Sequence, residues 1–130
     1  MRVFYFETMT LVDFIDKLSE LGPITYDTPF DNKTLVFRIG GKIFLLTNIE
    51  LWDIKCPKIN IKALPENVEK YLCDYDFVEP AYHMNKKHWI TVNMSKFNQS
   101  KLFFNWIQDS YELVYESLTK KIKNELNENK

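Results

Sequence analysis

Two β-rich runs joined by a single Gly-Gly pair limit the folding of this chain more than any other feature. Residues 34–39 read TLVFRI, residues 42–47 read KIFLLT, and Gly40-Gly41 lies between them. β-Branched and aromatic side chains suit extended backbone. A two-residue link that tolerates positive φ turns the runs back on each other as an antiparallel hairpin. Alternation then puts Leu35, Phe37 and Ile39 on one face and Arg38 on the other. Two further segments alternate in the same way. Within residues 58–63 (KINIKA), Ile59 and Ile61 oppose Asn60 and Lys62; within residues 89–94, Ile90, Val92 and Met94 oppose Trp89, Thr91 and Asn93. Each segment has one apolar face. The sheet they build therefore commits one face to a core and leaves a polar face not covered by helices.

Helical spacing fills the intervals. Leu11, Phe14, Ile15, Leu18 and Leu21 share a face over residues 11–21. Thr10 is placed as N-cap with Asp13 in the first turn, and Gly22-Pro23 stops the helix. Pro65 opens a second helix reaching about residue 74, with Val68, Tyr71, Leu72 and Tyr75 as its stripe. A long helix spans residues 101–118, reaching as far as 122, with Phe103, Ile107, Ser110, Tyr111, Val114 and Leu118 in register. Residues 51–57, with Trp52, read as a loop, 77–80 as a connector and 97–100 as a turn. Residues 1–8 read as an N-terminal arm and 123–130 as a frayed, mixed-charge tail. At 130 residues the chain makes a single domain. The fold class is α+β: two layers, a mostly antiparallel sheet, helices on one face.

The net charge is −1, low for a dedicated nucleic-acid binder, but the charges are segregated. Residues 33–62 carry Lys33, Arg38, Lys42, Lys55, Lys58 and Lys62 against only Glu50 and Asp53. Residues 81–108 carry Lys86, Lys87, Lys96 and Lys101 and no acid. Basic character thus collects on the β segments and acidic character on the helices. Cys56 and Cys73 form no C-x-x-C pair and read as reduced thiols, not a disulfide or zinc framework. No signal peptide and no membrane-spanning run is present, so a soluble, cytoplasmic protein is expected.

Residues 80–94, PAYHMNKKHWITVNM, concentrate two histidines, two adjacent lysines, an amide and a tryptophan. Lys86 and Lys87 suit phosphate contacts, with His88 and Trp89 beside them for stacking on a base or sugar. Arg38, Lys42 and Lys62 extend the patch if the strands pair as expected. Four phosphate contacts would give a salt slope of roughly −3 to −4. The plainer alternative is an ordinary solvated lysine surface. Tyr82, His83 and Asn85 form a candidate ligand pocket. A metal site from His83 and His88 lacks a third ligand at suitable spacing, and no nucleophile has a base beside it. The residues accordingly predict no catalytic site, no metal and no cofactor. Three acids on the first helix, Asp13, Asp16 and Glu20, interrupted by Lys17, read as a solvated face, not an iron-binding ridge.

The run PFDNKTLVFRIGGKIFLL, the strand INIK, the run PAYHMNKKHWITV and the helix segment DSYELVYESLTKK, in that order, resemble the MmcQ/YjbR-like family. The resemblance covers about residues 25–121, and HMNKKHW is its most specific block. It implies a fold similar to CyaY, the bacterial frataxin, and to the double-wing DNA-binding domain of a phage transcription factor. It also implies DNA as partner. Ala81 stands where the family pattern has glycine before the tyrosine. The expected function is DNA binding through the polar sheet face and the HMNKKHW turn. The alternative is a protein- or small-ligand-binding adaptor without a DNA role.

Overall fold

The first helix starts where its free N–H groups find acceptors. Thr10 Oγ1 accepts from the Asp13 N–H, and the Asp13 carboxylate accepts from the Thr10 N–H in return, a reciprocal cap. The computed structural model describes residues 9–81, 84–96 and 100–128. Its elements run α1 (Leu11–Ser19), β1 (Thr25–Asp27), β2 (Thr34–Ile39), β3 (Lys42–Asn48), α2 (Ile49–Asp53), β4 (Lys58–Lys62), α3 (Pro65–Asp74), β5 (Val78–Pro80), β6 (Trp89–Asn93), α4 (Ser100–Glu116) and α5 (Lys120–Glu128). The expected N-terminal arm, most of the expected turn at 97–100, and the pair Tyr82 and His83 lie outside the described residues.

The strands form one six-stranded sheet in the order β1-β2-β3-β4-β6-β5, each neighbouring pair antiparallel. The β2–β3 hairpin turns at Gly40 and Gly41, both at positive φ, as the Gly-Gly pair requires. Helix α3 carries the chain from β4 to the edge strand β5, and β6 returns between them. Strand β5 escapes sequence reading because it has three residues and contains Pro80. Proline is tolerated there because an edge strand has a side with no ladder to join. Strand β1 is equally short; its Tyr26 ring rests 5.5 Å from that of Phe37.

One irregularity shapes the core. Phe37 pairs with Leu45 but Arg38 pairs with Ile43, so Phe44 is an extra residue in β3. This bulge lets two consecutive side chains, Phe44 and Leu45, enter the same core. Helix α4 lies across β2, β3 and β4. Phe103, Ile107, Tyr111 and Val114 of α4 meet Phe14 and Leu18 of α1, Trp52 of α2 and Val68 of α3 over the inner sheet face. Ile90, Val92 and Met94 are wholly buried in that core, as their alternation predicts.

Two segments differ from the sequence reading. Residues 51–53, the start of the segment 51–57 expected as loop, belong to α2 (Ile49–Asp53). Asn48 caps it by accepting from the Glu50 N–H at 2.9 Å, and Trp52 Nε1 anchors it by donating to Thr47 Oγ1 at 2.8 Å. The expected frayed tail is helix α5 up to Glu128. Thr119 Oγ1 caps it, Ile122 and Leu126 reach the core one turn apart, and Lys123 pairs with Glu116 at 3.3 Å. Two apolar residues in a charged segment are a weak periodic signal, yet they suffice once a core edge is beside them.

Candidate nucleic-acid interface

Residues 84–88 form a tight turn held by Asn85. Asn85 Oδ1 accepts from the Lys87 N–H at 2.9 Å, and the Asn85 carbonyl accepts from the N–H groups of His88 and Trp89 at 3.1 and 3.0 Å. Asparagine suits this role because its short side chain mimics a backbone carbonyl. The His88 carbonyl accepts from the Ala63 N–H at 2.9 Å and fastens the turn to the end of β4. Lys86 and Lys87 are exposed on its outer side, and His88 is half-buried.

Beneath the turn the second sheet face is not open. Val36, Leu46, Ala81 and Trp89 form a small apolar cluster there, with Ile43 and Met84 against it. Trp89 is 8% exposed. It anchors the turn to the sheet and does not offer a free ring face for stacking on a base. Alternation places Trp89 on the correct face of β6. It cannot reveal that the preceding residues fold back over that face. The covering segment brings no helix, so the helices remain on one side as expected.

The basic residues fare unevenly. Lys62 sits opposite Trp89 in the β4–β6 register and is half-buried beside the turn. The Arg38 guanidinium donates to Asp27 Oδ1 at 2.7 Å, so much of its charge is answered on the sheet. Lys58 is answered likewise by Glu79 at 3.2 Å. Lys42 does not join the patch. Its ammonium donates to the Ser117 carbonyl at 3.2 Å, beside the C-terminal end of α4, where a cation complements the helix dipole. Its register partner is the inward-facing Ile39, which places it on the helical side. The turn, His88, Trp89 and Lys62 are therefore brought together, Arg38 lies farther along the same face, and Lys42 is excluded. Of the candidate pocket Tyr82, His83 and Asn85, only Asn85 is described, and its side-chain oxygen is committed to the turn. Among the described residues no group of three His, Cys, Asp or Glu is placed to hold a metal ion. Among the described residues no helix is long and apolar enough to cross a membrane.

Sequence reasoning missed a second feature. A cleft of about 290 Å³ opens between α3, α4 and the end of β4, lined among others by Lys62, Asn67, Tyr71, Trp106 and Asp109. The Tyr71 and Trp106 rings stack at 4.3 Å. The signal in the sequence is the spacing of Trp106, Asp109, Leu113 and Glu116, which run down one stripe of α4.

The YjbR family model matches residues 19–113. The uncharacterized protein YbdF of Escherichia coli O157:H7 is 41% identical over 93 residues, covering 72% of this chain and 74% of YbdF. The crystal structure of Deinococcus radiodurans protein DR2400, with domain DUF419, superposes with a TM-score of 0.79 at 31% identity. That match covers 93% of this chain and 90% of the other. A Pseudomonas syringae protein gives a TM-score of 0.68 at 31% identity over 82% of this chain and 99% of its own. With this sheet order, this turn and these matches along most of its length, the chain belongs to the YjbR family.

Proposed function

We propose that this protein binds nucleic acid, DNA in the first instance, through the backbone phosphates, using the turn at residues 84–88. The observation that carries the reading is the rigid presentation of Lys86 and Lys87. Both are exposed on a turn held by Asn85 and pinned to the sheet by Trp89. Pinning lowers the ordering cost of a phosphate contact. Residues 81–108 contribute no acidic side chain to this segment of the sequence. Lys62 and His88 flank the turn, and Arg38 adds residual positive potential on the same face. Lys42 and the Trp89 ring take no part. The contact surface is thus a projecting turn instead of a broad sheet face.

With two or three phosphates engaged, the logarithm of the affinity falls with the logarithm of salt at a slope of roughly −2 to −3. Fluorescence anisotropy with duplex and single-stranded DNA over a salt series tests this. The Lys86→Glu/Lys87→Glu variant is expected to abolish most binding and flatten the slope by about two. Absence of binding at low salt, or binding unchanged in that variant, overturns the proposal. A ligand-binding role without DNA has its own supporting observation in the α3–α4 cleft.

A further inference from the structure

We propose that the cleft between α3 and α4 is a binding site for a small organic cation with an apolar body, its charge meeting Asp109 and its body lying against Leu64, Tyr71 and Leu113. Four observations lead to this ligand chemistry.

The first is shape. The cavity of about 290 Å³ is at the lower end of the range of small-molecule sites. The second is the wall. Tyr71 stacks on Trp106 at 4.3 Å with the planes 23° apart, and Tyr75 meets the same indole edge-on at 5.1 Å. These contacts fix the aromatic wall in place. Leu64, 44% exposed, stands at the mouth as one of the few large apolar side chains the fold leaves in water.

The third observation is charge. Among the described residues, Asp109, Glu112 and Glu116 line the cleft with Lys62 as their cationic counterpart. Two of the acids are engaged. Glu112 accepts from Gln108 Nε2 at 3.2 Å, and Glu116 pairs with Lys123 at 3.3 Å. Asp109 has no hydrogen-bond or ion-pair partner among the described residues. Its carboxyl is held above the ordinary aspartate range, first by loss of water against the cleft walls and then by the charge of Glu112. The Tyr71 phenol is raised too, by its own burial and then by Asp109. Both groups are raised first by partial loss of water and second by a neighbouring acid; a bound cation offsets both effects and an anion adds to the second.

The fourth is Asn67. Its half-buried side-chain amide faces the cleft from α3, also without a hydrogen-bond partner among the described residues. A ligand N–H that reaches it gains a hydrogen bond at little cost in reordering. A carboxylate and an amide, both unengaged, beside a fixed aromatic wall match the ammonium and hydrocarbon parts of an aromatic amine. Cation–π attraction to the rings favours the same charge.

The test is a ¹H–¹⁵N NMR titration of the full chain with three isosteres: 2-phenylethylamine, 2-phenylethanol and phenylacetate. The amine is expected to give saturable shifts at the Trp106 indole N–H and the Asp109 amide, with a Kd of about a millimolar, as befits so small a probe. The alcohol is expected to bind at least fivefold more weakly and phenylacetate not at all. Asp109→Asn, at an exposed position that keeps the fold, is expected to reduce the amine to the level of the alcohol. Lys86→Glu/Lys87→Glu is expected to leave amine binding unchanged, because the cleft and the lysine turn do not share those residues. The proposal is overturned if the amine gives no saturable shift, if it binds no better than alcohol or acid, or if Asp109→Asn retains full affinity.

Discussion

Replacing Ser110 with alanine tests the way the helical layer is fixed to the sheet. Ser110 is wholly buried on α4. Its hydroxyl accepts from the Lys62 N–H at 2.9 Å and donates to the Phe44 carbonyl at 2.7 Å. These two backbone groups sit where the bulge takes Phe44 out of the β3–β4 ladder, which ends at Leu45 and Ile61. The hydroxyl thus stands in for a ladder bond that the strands cannot make with each other. Alanine removes it and leaves a donor and an acceptor unpaired inside the protein. Each unpaired group costs about 1–3 kcal/mol, so the variant is expected to lose about 2–6 kcal/mol. At roughly 4 °C per kcal/mol for a chain of this size, the midpoint falls by about 8–24 °C. Urea denaturation followed by circular dichroism reads the loss, and hydrogen exchange at the Lys62 amide reads its cause. A loss under about 0.5 kcal/mol with the Lys62 amide still protected would refute the reasoning, since some other acceptor would then have to serve that N–H.

Three further outcomes are expected. Gly40→Ala should cost more than Gly41→Ala in thermal denaturation. Both positions have positive φ, but a Cβ on Gly40 would stand 2.7 Å from Leu118 Cδ1, while one on Gly41 meets nothing; the shared strain is about 1 kcal/mol. Trp89→Ala should destabilise by about 3–5 kcal/mol and speed exchange of the His88 amide, because the turn loses its anchor; equal exchange in both proteins would show that Asn85 holds the turn unaided. Asp109→Asn should raise the melting temperature slightly at pH 7. A carboxyl whose pKa is raised on folding lowers stability as pH climbs from its unfolded value to its folded one, and the deficit persists above. The gain should vanish well below the ordinary value of 3.8, where the carboxyl is protonated in both states.

Much of the layered fold is legible in local pattern. Alternation at residues 34–39, 58–62 and 89–93 identifies three central strands and their inward faces. Thr10, Pro65 and the Gly40-Gly41 pair mark starts and turns through chemistry confined to a few neighbours. Elements whose signal is short or faint are the ones that escape: β1, β5, α2 and α5. Each is held by partners distant in sequence or by a single side-chain anchor, such as Trp52 on Thr47 or Leu126 on the core edge. Ser110 illustrates the same limit. Its place on the apolar stripe of α4 is readable, but its task is set by a bulge 66 residues away in sequence.

The candidate site divides along that line. The sequence by itself determines that residues 84–88 form a polar, basic turn leading into a strand, and that Lys86 and Lys87 lie side by side without an acid near them in the chain. Only the tertiary structure decides which other charges join them. It draws Lys42 away to the end of α4, sets Asp27 against Arg38, and buries Trp89 under the turn it was expected to flank. It also assembles the α3–α4 cleft from residues between 61 and 116 in the chain. The reason is physical: periodicity records which face a side chain leaves from, whereas its partners depend on strand register and on which segments return over the sheet.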